Sequence, residues 1–108
     1  MIITKDNIDE FLHFNNRILN ITDNTNITAI EYLPESLEVL YCYNTKITEL
    51  PTLPDSLWAL YCYNTRLIKL PKLPKSLEFL YCRGTNLPEW QQLYLSSKRS
   101  VSTRNWSG

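Results

Sequence analysis

Residues 33–52 read LPESLEVLYCYNTKITELPT, residues 53–72 read LPDSLWALYCYNTRLIKLPK, and residues 73–92 begin LPKSLEFLYCRGTNLPEW. The period is 20 residues, without insertion, and Leu-Pro, Ser, Leu, Leu, Tyr, Cys and Thr recur in phase in all three copies. Each copy is one supersecondary unit that can bury its apolar residues only against its neighbours, so the repetition decides the architecture. A fainter copy lies upstream. Asn24-Thr25, Ile27 and Ile30 stand 20 residues before Asn44-Thr45, Ile47 and Leu50, but Arg17 and Asn20 stand where Leu37 and Leu40 supply core residues. Residues 17–32 therefore read as a degenerate first repeat whose strand register is open by one residue.

Within a repeat, Leu40 and Cys42 alternate with Tyr41 and Tyr43, the period-2 signature of a short strand. Leu37, Ile47, Leu50 and Leu53 can then line the interior. The leg from Ile47 to Leu57 contains Pro51 and Pro54, which lack N–H donors and disfavour helix in the residue before them. The return leg is expected to be extended or polyproline-like. The expected fold class is an α/β repeat solenoid, a short stack with a parallel β-sheet face and helical caps at both ends.

The caps follow from the ends of the chain. Residues 6–15 (DNIDEFLHFN) fit an amphipathic helix, with Asp6 as N-cap and Ile8, Phe11 and Leu12 on one face, which makes residues 1–16 the N-terminal helical cap. The third repeat breaks after Leu87, and Pro88 followed by EWQQLYL suits the start of a second cap helix over 88–95. Residues 96–108 (SSKRSVSTRNWSG) form a polar tail. The domain organisation expected is one domain, 1–108, holding the cap, the degenerate repeat, three repeats over 33–92 and the tail.

The pattern Leu37-x-x-Leu40-x-Cys42-x-x-Thr45-x-Ile47, with the phrase Leu50-Pro51-Thr52-Leu53-Pro54-Asp55-Ser56-Leu57, resembles the shortest class of leucine-rich repeats. The Leu-Pro-x-Leu-Pro form is similar to repeats of enterobacterial secreted effectors, and the Leu-Pro-x-Ser-Leu-x-x-Leu-x-Cys form is similar to repeats of giant-virus proteins. The resemblance covers about residues 17–92 and departs from the family at Thr45, Thr65 and Thr85, where Asn is usual. It implies a stacked fold and, because functions in the family vary widely, no particular partner.

Composition narrows the function. The chain has 108 residues, equal numbers of acidic and basic side chains, two Gly and one His. No Gly-rich phosphate loop exists, and His13 belongs to no recognisable motif, so no catalytic residue is assigned and an enzyme is not expected. Zero net charge lacks the basic face that nucleic-acid binding needs. No apolar run approaches the roughly 20 residues of a membrane span, and Met1-Ile2-Ile3-Thr4-Lys5-Asp6 lacks a signal-peptide core. Cys42, Cys62 and Cys82 fall at inward positions one above another, a line that does not converge on a metal. They read as small core residues, and neither metal nor cofactor is expected. Unpaired thiols favour a reducing compartment, so the expected location is intracellular, in the cytoplasm of the source or host cell or within a virus particle.

Alternation turns a second set of residues outward. Val39, Tyr41 and Tyr43 come from one repeat, Trp58, Tyr61 and Tyr63 from the next, and Phe79, Tyr81 and Arg83 from the third. In register they make a sheet face dominated by aromatics, where a half-buried sheet ordinarily shows polar residues. Contiguous exposed apolar surface marks interaction sites, and Tyr, Trp and Arg are enriched in binding hot spots. In-register Tyr rings can also stack on one another and serve the fold alone. The expected function is a small module binding a protein partner or itself through this face. The alternative is a structural component of a larger assembly such as a giant-virus particle.

Overall fold

The computed structural model describes residues 1–88. Its strands are β1 (Ile2–Ile3), β2 (Leu12–His13), β3 (Ile18–Asn20), β4 (Ala29–Ile30), β5 (Val39–Tyr41), β6 (Ala59–Tyr61) and β7 (Phe79–Tyr81). They form a five-stranded sheet in the order β2-β3-β5-β6-β7 and a two-stranded sheet of β1 and β4. In the larger sheet β3, β5, β6 and β7 run parallel, whereas β2 is antiparallel to β3.

The repeats dictate the parallel part. Leu40 pairs with Leu60 and Leu60 with Leu80, a register shift of one full repeat at each step. The ladder continues past the strands, with the Cys42 N–H donating to the Tyr61 carbonyl at 2.9 Å and the Asn44 N–H to the Tyr63 carbonyl at 3.2 Å. Leu40, Leu60 and Leu80 are fully buried, and Leu37, Ile47, Leu57, Leu67 and Leu77 join them in one apolar core. The legs between strands turn at Pro34, Pro54 and Pro74, whose carbonyls accept from the N–H groups of Leu37, Leu57 and Leu77 at 3.1 Å. Ser56 donates to the carbonyls of Leu37 at 2.5 Å and Glu35 at 2.7 Å, and Ser76 to that of Leu57 at 2.6 Å. The recurring Ser therefore ties each unit to the one before it.

The expected α/β solenoid with helical caps is not what forms. The molecule is a small β-rich domain with mixed sheets and no α-helix among the described residues. Its Cα radius of gyration is 12.9 Å, close to the ~13 Å of a compact globule of this length. At the N-terminus the expected cap helix over 6–15 is replaced by a four-residue 3-10 turn, Ile8–Phe11, followed by β2. Asp6 does not cap it. Instead the Asn7 side chain accepts from the Thr4 N–H at 2.8 Å and donates to the Ile2 carbonyl at 2.9 Å, fastening the turn to β1.

The physical reason is the edge of β3. A helix would leave its backbone groups without partners, whereas an antiparallel strand pairs them. Phe14, Asn15 and Asn16 all take positive φ, between 55° and 63°, and reverse the chain between β2 and β3. Apart from Pro88, the expected C-terminal cap helix over 88–95 and the tail over 96–108 lie outside the described residues.

The degenerate first repeat resolves its register by a one-residue slip. Leu19 pairs with Leu40, an offset of 21, so Leu19 and Ile21 enter the core and Arg17 and Asn20 stay exposed. The phase of 20 returns at Ile27, whose carbonyl accepts from the Lys46 N–H as that of Ile47 does from Arg66. The extra residue is absorbed in the turn after Asp23, which takes a φ of 64°.

Candidate functional site: an aromatic strand face

The outward side chains of β5, β6 and β7 fall into columns fixed by the parallel register. Tyr41 and Tyr61 stack with ring centroids 4.8 Å apart at 18°, and Tyr61 and Tyr81 at 4.8 Å and 9°. Just past the strands, Tyr43 and Tyr63 stack at 4.4 Å and 10°. These separations match the ~4.8 Å spacing of neighbouring strands, so the backbone sets the stack. The two columns meet edge to face through Tyr41 and Tyr43, centroids 6.5 Å apart. Trp58 adds an edge contact with Phe79 at 5.8 Å, and Phe79 lies 6.5 Å from Tyr81.

Ring faces turned toward each other leave ring edges and hydroxyls to solvent. The surface a partner meets is therefore a row of phenol groups flanked by Trp58, the most exposed aromatic of the set at 38%. Burial pushes the Tyr61 phenol above its ordinary range, with the neighbouring Tyr41 and Tyr81 adding to the shift. Burial likewise raises Tyr63, with Tyr43 beside it contributing. The Tyr61 and Tyr63 phenols thus stay neutral donors through the physiological range.

Most of the residues expected from sequence are brought together here. Tyr41, Tyr43, Tyr61, Tyr63, Phe79 and Tyr81 are half-buried, and Arg83 is exposed at the end of the second column. Val39 departs from the set. It is only 7% exposed, paired between Ile18 and the fully buried Ala59, so its side chain offers little surface to a partner. His13 is exposed on β2.

A supporting column went unrecognised in the sequence. Asp23, Asn44, Asn64 and Gly84 occupy equivalent positions after the strands, and all have φ between 52° and 71°. Asn64 donates its side-chain N–H to Asn44 Oδ1 at 3.0 Å, and Asn44 donates to Asp23 Oδ1 at 2.6 Å. Asn and Asp tolerate this left-handed conformation, and Gly adopts it freely. The signal was present in the repeated Tyr-Asn-Thr, with Gly84 in the phase of Asn64. One residue on, Thr45, Thr65 and Thr85 donate to the carbonyls of Cys42, Cys62 and Cys82 at 2.7–2.9 Å. Together these bonds fix the turn after each Tyr and hold the second Tyr column in register.

Gly84 gives a direct check on this column. A Cβ there would lie 2.6 Å from Asn64 Oδ1, on a backbone with φ of +71°. Gly84→Ala should cost about 1–2 kcal/mol, from the left-handed strain and the displaced amide. Gly84→Asn should cost less, because its amide can extend the hydrogen-bonded column. Urea unfolding of the two variants makes the comparison, and an equal loss would contradict a role for the amide ladder.

Inside the sheet, Cys42, Cys62 and Cys82 are free, buried thiols in one column. Burial pushes Cys42 and Cys62 well above the ordinary thiol range, so they stand as neutral core groups. Among the described residues no cluster of three His, Cys, Asp or Glu could hold a metal ion, and no helix is long and apolar enough to cross a membrane. No family model and no curated protein matches the chain.

Proposed function

We propose that the chain is a small, non-enzymatic module that binds a protein partner through the aromatic face of β5, β6 and β7. The observation that carries this reading is the exposure of Trp58 beside the stacked tyrosines. Ring stacking accounts for the Tyr columns alone, but it gives no reason for a large indole at an exposed position flanking them. Tyr, Trp and Arg in one patch, rigid and already ordered, suit a hot spot that loses little entropy on binding. Support for kinship with leucine-rich repeats comes from the 20-residue register and the in-phase Thr and Ser bonds. Support for an intracellular setting comes from the three free thiols.

A photo-crosslinking residue at Glu78, exposed beside Trp58, tests the reading in cells of the source. Crosslinks to one protein from position 78, and none from the exposed Ile68 on a return leg, are the expected result. Equal crosslinking from both positions would overturn it.

A further inference from the structure

At its Trp58 end the aromatic face meets a row of charged side chains. The backbone ladder carries this row from one repeat to the next. The Glu38 N–H donates to the Arg17 carbonyl at 2.7 Å, the Trp58 N–H to the Glu38 carbonyl at 2.9 Å, and the Glu78 N–H to the Trp58 carbonyl at 2.9 Å. The order is therefore Arg17, Glu38, Trp58, Glu78, with a carboxylate on the strand to either side of the indole. Glu38 is already matched, its Oε2 lying 3.6 Å from Arg17 Nε. Glu78 is exposed and forms no ion pair among the described residues. The basic residues nearest to it in sequence stand elsewhere. Arg83 follows it by five residues, roughly 16 Å of extended chain, about twice the screening length at physiological salt. Lys75 lines a groove of the return legs with Thr52 and Leu53.

We infer that the Trp58 end of the aromatic face seats an arginine side chain of the bound partner, its guanidinium on the indole and against the Glu78 carboxylate. The inference rests on the aromatic face being the binding surface, as proposed above, and gives the chemistry of what that surface holds. A cation over an aromatic ring is attracted by the π-electrons, most strongly for Trp. The unpaired carboxylate beside the ring adds a second attraction. An anionic group would be repelled there, and an apolar side chain would leave Glu78 unpaired and partly stripped of water. Arginine suits the place better than lysine, because its flat guanidinium can stack on a ring while its edge bonds a carboxylate. The chain shows the same pairing earlier in the row, where the Arg17 guanidinium lies against Glu38. At Glu78 the corresponding cation is left for the partner to supply. Beyond Trp58, the neutral Tyr61 and Tyr63 phenols offer hydrogen bonds without opposing charge.

Titration of the full chain with acetylated triarginine amide, and with the same peptide carrying neutral citrulline, tests the inference. The magnetic-resonance signal of the Trp58 indole N–H, identified by its absence in W58F, reports the contact. The arginine peptide should shift this signal saturably, and the citrulline peptide should bind about fivefold more weakly or worse. E78Q should weaken the arginine peptide about two- to fivefold, the share of an exposed ion pair, and E78R should weaken it further by repulsion. E49Q, on a return leg, should bind like the original chain. A loss of this size leaves a crosslinker at position 78 able to capture a partner, because the Trp58 contact remains. Equal binding of the two peptides, or E78Q binding like the original chain, would overturn the inference. If W58A/Y61A then lost partner capture while E78R kept it, the face would still be a binding site and only its preference for arginine would fall. Arginine-peptide binding at Trp58 without crosslinks from position 78 would remove the protein-partner reading and leave the chemistry of the site in place.

Discussion

Leu60→Ala should lower the unfolding free energy by about 2–5 kcal/mol, as large-to-small changes at fully buried sites do. Leu60 is the middle residue of β6, wholly buried, with Leu40 paired on one side and Leu80 on the other. Its neighbours cannot close over the vacancy, because both flanking rows are held by the backbone ladder at fixed strand spacing. Domains of this size are stable by roughly 5–15 kcal/mol in total, so the variant should remain folded but melt about 10 °C or more below the original chain. Circular dichroism during heating and in urea measures both quantities. A loss below about 1 kcal/mol would mean that the apolar column is not the main support of the stack.

Raising the pH should destabilise the fold steeply. The Cys42 and Cys62 thiols are held well above the usual range, chiefly by burial. In the unfolded chain they titrate near about 8.5. The folded values are the raised ones, so the contribution is fully present below the unfolded pKa and is lost as pH rises toward the folded value. In that window the unfolded state releases two protons that the native state keeps. Linkage then makes unfolding progressively easier with each pH unit, in proportion to the two protons released. Tyr61 and Tyr63 are also raised and act in the same direction from about pH 10, more weakly because both phenols are largely solvated. Cys62→Val keeps a small apolar group in the slot at a cost below about 1.5 kcal/mol. It should roughly halve the slope between pH 9 and pH 10. Urea unfolding at pH 7, 9 and 10 decides it, and a stability independent of pH across that range would place the thiols in contact with water.

Periodicity made the inner and outer faces of the sheet legible. Leu40, Cys42, Tyr41 and Tyr43 alternate over too few residues to fix a strand alone, but three copies in phase leave one arrangement that buries Leu40, Leu60 and Leu80 together with the three Cys. The N-terminal cap was misread because Ile8, Phe11 and Leu12 satisfy two geometries. Their spacing suits an α-helix, yet a 3-10 turn also aligns Ile8 with Phe11 and frees Leu12 to pair with Leu19. What settles between them is the edge of β3, a tertiary demand that local spacing does not carry. Phe14-Asn15-Asn16 held the turn signal, since Asn is enriched at positive φ.

Burial of Val39 was hidden for a related reason. Alternation places it on the outer face, but it sits between Ile18 and Ala59 in the register, and only the assembled columns show the space closed.

On the proposed reading the aromatic face binds a partner and the apolar columns hold the fold. The measurement that tests it most directly compares W58A/Y61A with the original chain, both for capture of the protein crosslinked at position 78 and for the thermal transition. Central aromatics of an interface cost roughly 2 kcal/mol or more on truncation, about thirtyfold in affinity. Their contribution to folding is mainly stacking with Tyr41, Tyr81 and Phe79, about 1 kcal/mol per pair at most. Partner capture should be lost while melting stays cooperative, lowered only by the roughly 1–3 kcal/mol that the three ring contacts can supply together. Retained capture together with a collapsed transition would contradict this reading and make the stripe a structural support alone.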